Sequence, residues 1–270
     1  MSRIHKPLII QIKELLEEDS RVVAAWLEGS IARGEEDDFS DIDLWIAVKD
    51  NRFTHFIETR EQFATQLGAV VSILYPKDEN DGPPIDSFHI LLEGYPSTLG
   101  VDVHVQQQSR KFWFTKDSAA EECKVLFDKE NVIKMHPFNP QQIEEYARDA
   151  FQYTMLQFWH TLPHVTALIE REDIIESVSK YLLRLEDLIT LYRIMYTPEK
   201  IGWGVKDIEY DLPEKQVKQI YHLMPRWNAN VIDKLVPKLA DAFLDQSKVL
   251  AKRLRIDLPS ELISYIMKEL

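Results

Sequence analysis

Two hydrophobic periods divide the chain. In roughly its first half, short apolar runs alternate with polar, turn-forming stretches, the pattern of strands interleaved with helices. Ile9, Ile10, Ile12, Leu15 and Leu16 form a helical stripe within residues 4–17, and a second helix is predicted over 52–67, with Phe53, Phe56, Phe63 and Leu67 on its buried side. Strands are predicted at 22–27, 42–48, 69–75, 88–92, 99–105 and 123–127. The stretch 77–86, with Asp81-Gly82-Pro83-Pro84, reads as a loop, and 94–97 as a hairpin turn. At Met135-His136-Pro137-Phe138-Asn139-Pro140 two prolines break the pattern, and beyond them the period is helical. Helices are predicted over 141–162, resuming after Pro163, and over 172–196, 215–224 and 228–254, with a short last one opened by Pro259. The boundary predicts two domains, an α/β (α+β) domain over 1–135 and an α-helical bundle over 136–270.

One stretch, Trp26 to Val48, demands a chemical explanation. Trp26 and Leu27 close the first strand, Gly29-Ser30 makes a sharp turn, and Ile31-Ala32-Arg33 starts a short helix. Such a turn presents unpaired backbone N–H groups, and a glycine lets a bulky anion approach the main chain closely. After an acidic loop, Glu35-Glu36-Asp37-Asp38, come Asp41 and Asp43 at the head of the second strand. Residues two apart on a strand share a face, so both carboxylates project the same way. Adjacent carboxylates repel unless a cation lies between them, and a hard divalent ion such as Mg²⁺, shared with substrate phosphates, fits oxygen ligands.

Gly29-Ser30, a loop, and Asp41-Ile42-Asp43 on the next strand resemble the signature of the DNA polymerase β-like nucleotidyltransferases. The wider wording, Gly-Ser-Ile-Ala-Arg-Gly with Ser40-Asp41-Ile42-Asp43-Leu44, is similar to the bacterial branch with the aminoglycoside and lincosamide enzymes. The resemblance implies a catalytic domain with a mixed β-sheet, then a helical domain that closes the acceptor site. It implies transfer of a nucleoside monophosphate, AMP from ATP, to a hydroxyl of a small molecule such as an aminoglycoside-like antibiotic, with pyrophosphate leaving. Gly29, Ser30 and Ser40 would serve the nucleotide, and Asp41 and Asp43 would hold Mg²⁺.

The resemblance also implies a third carboxylate, from a later strand beside the Asp-x-Asp strand. In Val101-Asp102-Val103-His104-Val105 the valines alternate with Asp102 and His104, which therefore share a face. Asp102 fits the order and context of general base or third metal ligand, with Asp86 and Glu93 as weaker rivals and His104 as a polar neighbour. In the helical half, Gly202-Trp203-Gly204-Val205-Lys206 reads either as a turn anchored by its tryptophan or as a loop whose Lys206 meets the triphosphate. His160 and His164 lie four apart with Pro163 between and no third ligand nearby, which argues against zinc.

Composition narrows the partners. Among 270 residues, 45% are hydrophobic, enough for a sizeable core, and the lone Cys123 excludes an internal disulfide. No signal peptide or membrane span is visible, so a cytoplasmic location is expected. A net charge of −13 argues against nucleic acid and suits a cationic acceptor. The basic run Lys252-Arg253-Leu254-Arg255 reads as a solvated helix face or a complement to the helix dipole. A nucleotidyltransferase that modifies protein or RNA, and a non-catalytic nucleotide-binding protein of the same fold, remain as alternatives. Whether the chain forms a homodimer to complete its site is left open.

Overall fold

A computed structural model describes residues 5–76, 85–110, 113–115, 118, 120 and 122–269. The chain divides into two compact units, residues 1–138 and 139–270. The first runs α1 (His5–Glu18), β1 (Val22–Leu27), α2 (Gly29–Arg33), β2 (Ile42–Val48), α3 (Phe53–Glu58), α4 (Arg60–Leu67), β3 (Val70–Leu74), β4 (Ile85–Leu92), β5 (Val101–Gln107), β6 (Trp113–Thr115), β7 (Lys124–Asp128) and β8 (Lys134–His136).

Among the described residues, six strands form one sheet in the order β3-β4-β5-β2-β1-β7. The β2–β5 pairing is parallel and its neighbours are antiparallel, so the sheet is mixed. One face carries Ile42, Leu44, Ile46, Val101, Val103, Val105, Phe88 and Ile90, buried against Leu8, Ile12, Phe56 and Phe63 of the helices. The other face carries a smaller cluster of Val23, Ala24, Trp26, Ala47, Phe114 and Ile133. Alternation along β2 and β5 sends every second residue to each face.

Several expectations shift. The single helix expected over 52–67 is two, broken at Thr59, whose Oγ1 donates to the carbonyls of His55 (2.9 Å) and Phe56 (3.2 Å) and so competes with the main chain. The strand expected at 88–92 begins at Ile85, because its first residues continue the antiparallel ladder with Gln106 and Val105. The remainder of the expected loop, 77–84, lies outside the described residues. The two short strands β6 and β8 had no periodic signal, and among the described residues they pair only with each other.

The second unit runs α5 (Pro140–Glu170), α6 (Ile174–Tyr196), a 3-10 turn (Pro198–Trp203), α7 (Ile208–Asp211), α8 (Glu214–Leu223), α9 (Ala229–Leu254) and α10 (Ser260–Met267). Asn139, Asp173 and Asn228 cap α5, α6 and α9, each accepting a main-chain N–H at 3.1–3.2 Å. The interruption expected at Pro163 is absent, and α5 passes through it. A helix-interior proline forfeits one backbone bond, but Phe158, Trp159, Leu162 and Val165 around it are fully buried, and that packing holds the turn. Phe158 stacks on Phe243 of α9 at 3.7 Å between ring centres. Arg253, from the basic run, donates to the carbonyls of Ile194 and Met195 at the end of α6, both at 3.2 Å.

Candidate active site

The turn after β1 is shaped by two glycines. Glu28 is extended, Gly29 has φ +64° and begins the five-residue α2, and Gly34 at φ +72° ends it. The Glu28 N–H donates to the Asp43 carbonyl at 3.0 Å, tying the turn to β2. A Cβ at Gly29 would fall on the Asp43 carboxylate, 3.0 Å from its Cγ. Glycine is therefore required both by the left-handed backbone and by the close approach of Asp43. The N–H groups of the first turn of α2 have no partner within the helix.

Across the parallel pair, Asp43 of β2 stands opposite Asp102 of β5, and the Ile42 N–H extends the ladder to the Gly100 carbonyl at 2.9 Å. Side chains in register on neighbouring strands share a face, and Asp41 joins them from the residue before β2. Asp41, Asp43 and Asp102 each offer an oxygen, all within 4.8 Å of one another, and all three residues are half-buried. Among the described residues this is the one group of three or more acidic, histidine or cysteine side chains arranged to hold a metal ion. The donors are all carboxylate oxygens, a set that suits Mg²⁺ rather than a metal that prefers nitrogen or sulfur.

The row continues on β4, where His89 stands opposite Asp102 and its Nδ1 donates to Asp102 Oδ1. Two residues along lies a second row on the same face. Trp26 stacks on Trp45 at 5.9 Å, Trp45 on His104 at 4.5 Å, and His104 Nδ1 is 2.9 Å from Ser87 Oγ. The Trp26 indole N–H donates to Glu28 Oε1 at 2.9 Å. The acidic row thus borders an aromatic floor, and His104 is a member of the floor.

The other sequence candidates fall elsewhere. Asp86 alternates with His89 and so lies on the helix-covered face, where it pairs with Arg60 at 3.5 Å. Glu93 is exposed beyond the end of β4, outside the carboxylate group. The Ser40 hydroxyl donates to Asp37 Oδ1 (3.1 Å) and accepts the Asp37 N–H (3.0 Å), while its carbonyl accepts from the buried His5 ring at 2.8 Å. The Phe39 N–H and then the Ser40 hydroxyl hold the Asp37 carboxyl below its usual range. Burial, reinforced by Glu28 and Glu122, pushes the Cys123 thiol up to about 11.

Lys206 belongs to the second unit, in a segment built more firmly than a plain loop. Fully buried Arg193 donates to the Gly204 carbonyl (2.8 Å), to Asp211 Oδ2 (3.1 Å) and to the Lys206 carbonyl. Buried Lys200 donates to Asp211 Oδ1 at 2.7 Å. The ammonium groups of Lys200 and Lys206 lie 4.7 and 5.2 Å from the centre of the Trp203 ring, within cation–π range. The tryptophan is the anchor, and the exposed Lys206 leans on it.

His89 was not singled out by the sequence reading. Its signal is the alternation of Ser87 and His89 with Phe88, Ile90 and Leu92, which puts His89 on the polar face once β4 pairs with β5. No helix among the described residues is long and apolar enough to cross a membrane.

No curated protein matches the chain. Solved structures similar to it include a crystal structure of an aminoglycoside 6-adenyltransferase from Bacillus subtilis, at 18% identity over 100% of this chain and 97% of that one, with a TM-score of 0.40. The family described as streptomycin adenylyltransferase matches residues 2–268, and the chain therefore belongs to that adenylyltransferase family.

Proposed function

We propose that this protein transfers AMP from ATP to a hydroxyl of an aminoglycoside of the streptomycin type, in a Mg²⁺-dependent reaction. The observation that carries the reading is the convergence of Asp41, Asp43 and Asp102 beside the Gly29–Ser30 turn. Family membership supplies the reaction class. Three half-buried carboxylates with oxygens this close create a negative focus that a divalent ion relieves. Mg²⁺ held by Asp41 and Asp43 would neutralise charge on the triphosphate and on the leaving pyrophosphate.

The chain's own residues orient and deprotonate. Gly29 and the first-turn N–H groups of α2 receive triphosphate oxygens, which the absent side chain at residue 29 allows to approach the backbone. Asp102 accepts the proton of the acceptor hydroxyl. The freed oxygen attacks the α-phosphorus in line, a new P–O bond forms, and the bond from the α-phosphorus to the bridging oxygen of pyrophosphate breaks. The cationic groups of such an acceptor match the acidic surface implied by the net charge of −13.

The test is pyrophosphate release from ATP with streptomycin and other aminoglycosides, with and without Mg²⁺, beside the D43N variant. Release that requires acceptor and Mg²⁺ and disappears in D43N is expected. Release undiminished in D43N, or release indifferent to every acceptor, would overturn the assignment.

A further inference from the structure

We infer that His89 is a positioning residue for the reaction, fixing the Asp102 carboxylate through its Nδ1–H, and that Gly100 is a glycine in order to house the His89 ring. The inference rests on the catalytic role proposed for Asp102. It starts from three observations. His89 and Asp102 are direct partners in the antiparallel β4–β5 ladder, and His89 Nδ1 donates to Asp102 Oδ1. Both side chains are about a third exposed, 30% and 35%, so the contact lies at the open edge of the acidic row rather than in the core.

The third observation is Gly100. Its backbone is outside the left-handed region that favours glycine, unlike Gly29, Gly34, Gly94 and Gly204. The conformation there therefore accepts any residue. Space does not: a Cβ at residue 100 would lie 2.6 Å from His89 Nε2 and closer still to Cε1. The missing side chain makes room for one object, the imidazole ring. Gly100 also accepts the Ile42 N–H at 2.9 Å, so the ring sits against backbone that is hydrogen-bonded to the segment between Asp41 and Asp43.

An aspartate carboxylate turns easily about its last torsion, which is broad and nearly two-fold. A proton acceptor must present an oxygen to the incoming hydroxyl within a few tenths of an ångström. A charge-assisted hydrogen bond to one oxygen stops the rotation and leaves the second oxygen at a fixed bearing. The ring itself is held by its strand register and by the Gly100 backbone. His104, two residues beyond Asp102, is engaged with Trp45 and Ser87 in the aromatic row, which leaves His89 as the imidazole on Asp102.

The experiment compares kcat and the KM for ATP in H89F, which keeps a ring but loses the donor, and H89N, whose amide nitrogen lies near the place of Nδ1. H89F should lower kcat about 10–100-fold, the usual effect of losing a partner behind a catalytic group, with KM for ATP and the melting temperature unchanged. H89N should return most of that loss. The double variant H89F/D102N should be no slower than D102N alone, since His89 acts only through Asp102. G100A, which pushes the ring from its place, should reproduce the H89F loss in a chain that keeps its histidine. Near-normal kcat in both H89F and G100A, or losses in the double variant that multiply, would overturn the role of His89 while leaving Asp102 in place. Full activity in D102N would overturn the role of Asp102, and this inference with it.

Discussion

Gly29→Ala is the perturbation whose outcome the structure specifies most closely. Two penalties act at residue 29, and they are separable. Its φ of +64° costs an L-residue about 1–2 kcal/mol relative to glycine. The added Cβ also meets the Asp43 carboxylate, 3.0 Å from its Cγ, so that carboxylate must swing away from Asp41 and Asp102. A displacement near 1 Å at a reacting centre costs on the order of 100-fold in rate, about 2.7 kcal/mol of barrier. Gly34→Ala is the built-in control. Its φ of +72° carries the same backbone penalty, and a Cβ there meets nothing within 4 Å. Both variants should melt lower, by about 2–4 °C per kcal/mol. Only Gly29→Ala should lose about 100-fold or more in kcat, measured by pyrophosphate release under saturating ATP and Mg²⁺. Equal activity losses in the two variants would show that strain alone is responsible. A Gly29→Ala enzyme within a few-fold of the parent would refute the placement of Asp43 in the chemistry.

Two further outcomes follow from the second unit. Burial raises the Asp187 carboxyl from 3.8 to about 7, and Arg184, 2.9 Å away but not aligned for a hydrogen bond, offsets this only in part. A raised carboxyl pKa means the folded state holds a proton the unfolded state releases, so this contribution is full below pH 3.8 and lost as pH rises through about 7. At about 1.4 kcal/mol per unit, urea unfolding at pH 8 should show roughly 2–3 kcal/mol less stability from this group than at pH 5, and D187N should flatten the slope; an unchanged slope in D187N would count against it. Exposed Lys206 and buried Lys200 should differ in their effect on stability. K200A, which breaks a buried pair with Asp211, should cost about 3 kcal/mol in urea unfolding, whereas K206A should leave the melting temperature unchanged; equal stability of the two variants would count against the buried pair.

The parts of this fold that were legible in the sequence are those set by local period. β1, β2, β5 and β7 were visible as apolar runs, and α6 and α9 as long stripes, because burial on one face imposes a repeat that each segment carries by itself. What was not legible depends on partners distant in the chain. Thr59 splits a helix through its own hydroxyl, which also accepts from Arg21, 38 residues earlier, at 2.7 Å. Pro163 fails to split one because packing on α9 overrides the lost bond. Short strands such as β6 and β8 carry too few residues to show a period at all.

The site shows the same division. Asp41 and Asp43 were legible as candidates because two aspartates two apart at the head of an apolar strand are improbable without a role, and Asp102 because its alternation with valines is local. His89 was hidden because its meaning is relational: nothing in Phe88-His89-Ile90 marks the histidine until the register of β4 against β5 is known. Register is fixed by the apolar face, where Phe88 and Ile90 must lie with Val101 and Val103, and a slip of one residue would send every one of them to the wrong side. The hydrophobic core therefore sets the chemistry. The packing that aligns Phe88 with Val103 also brings His89 to Asp102, and the packing that aligns Leu44 with Val103 across β2 and β5 brings Asp43 to the same place.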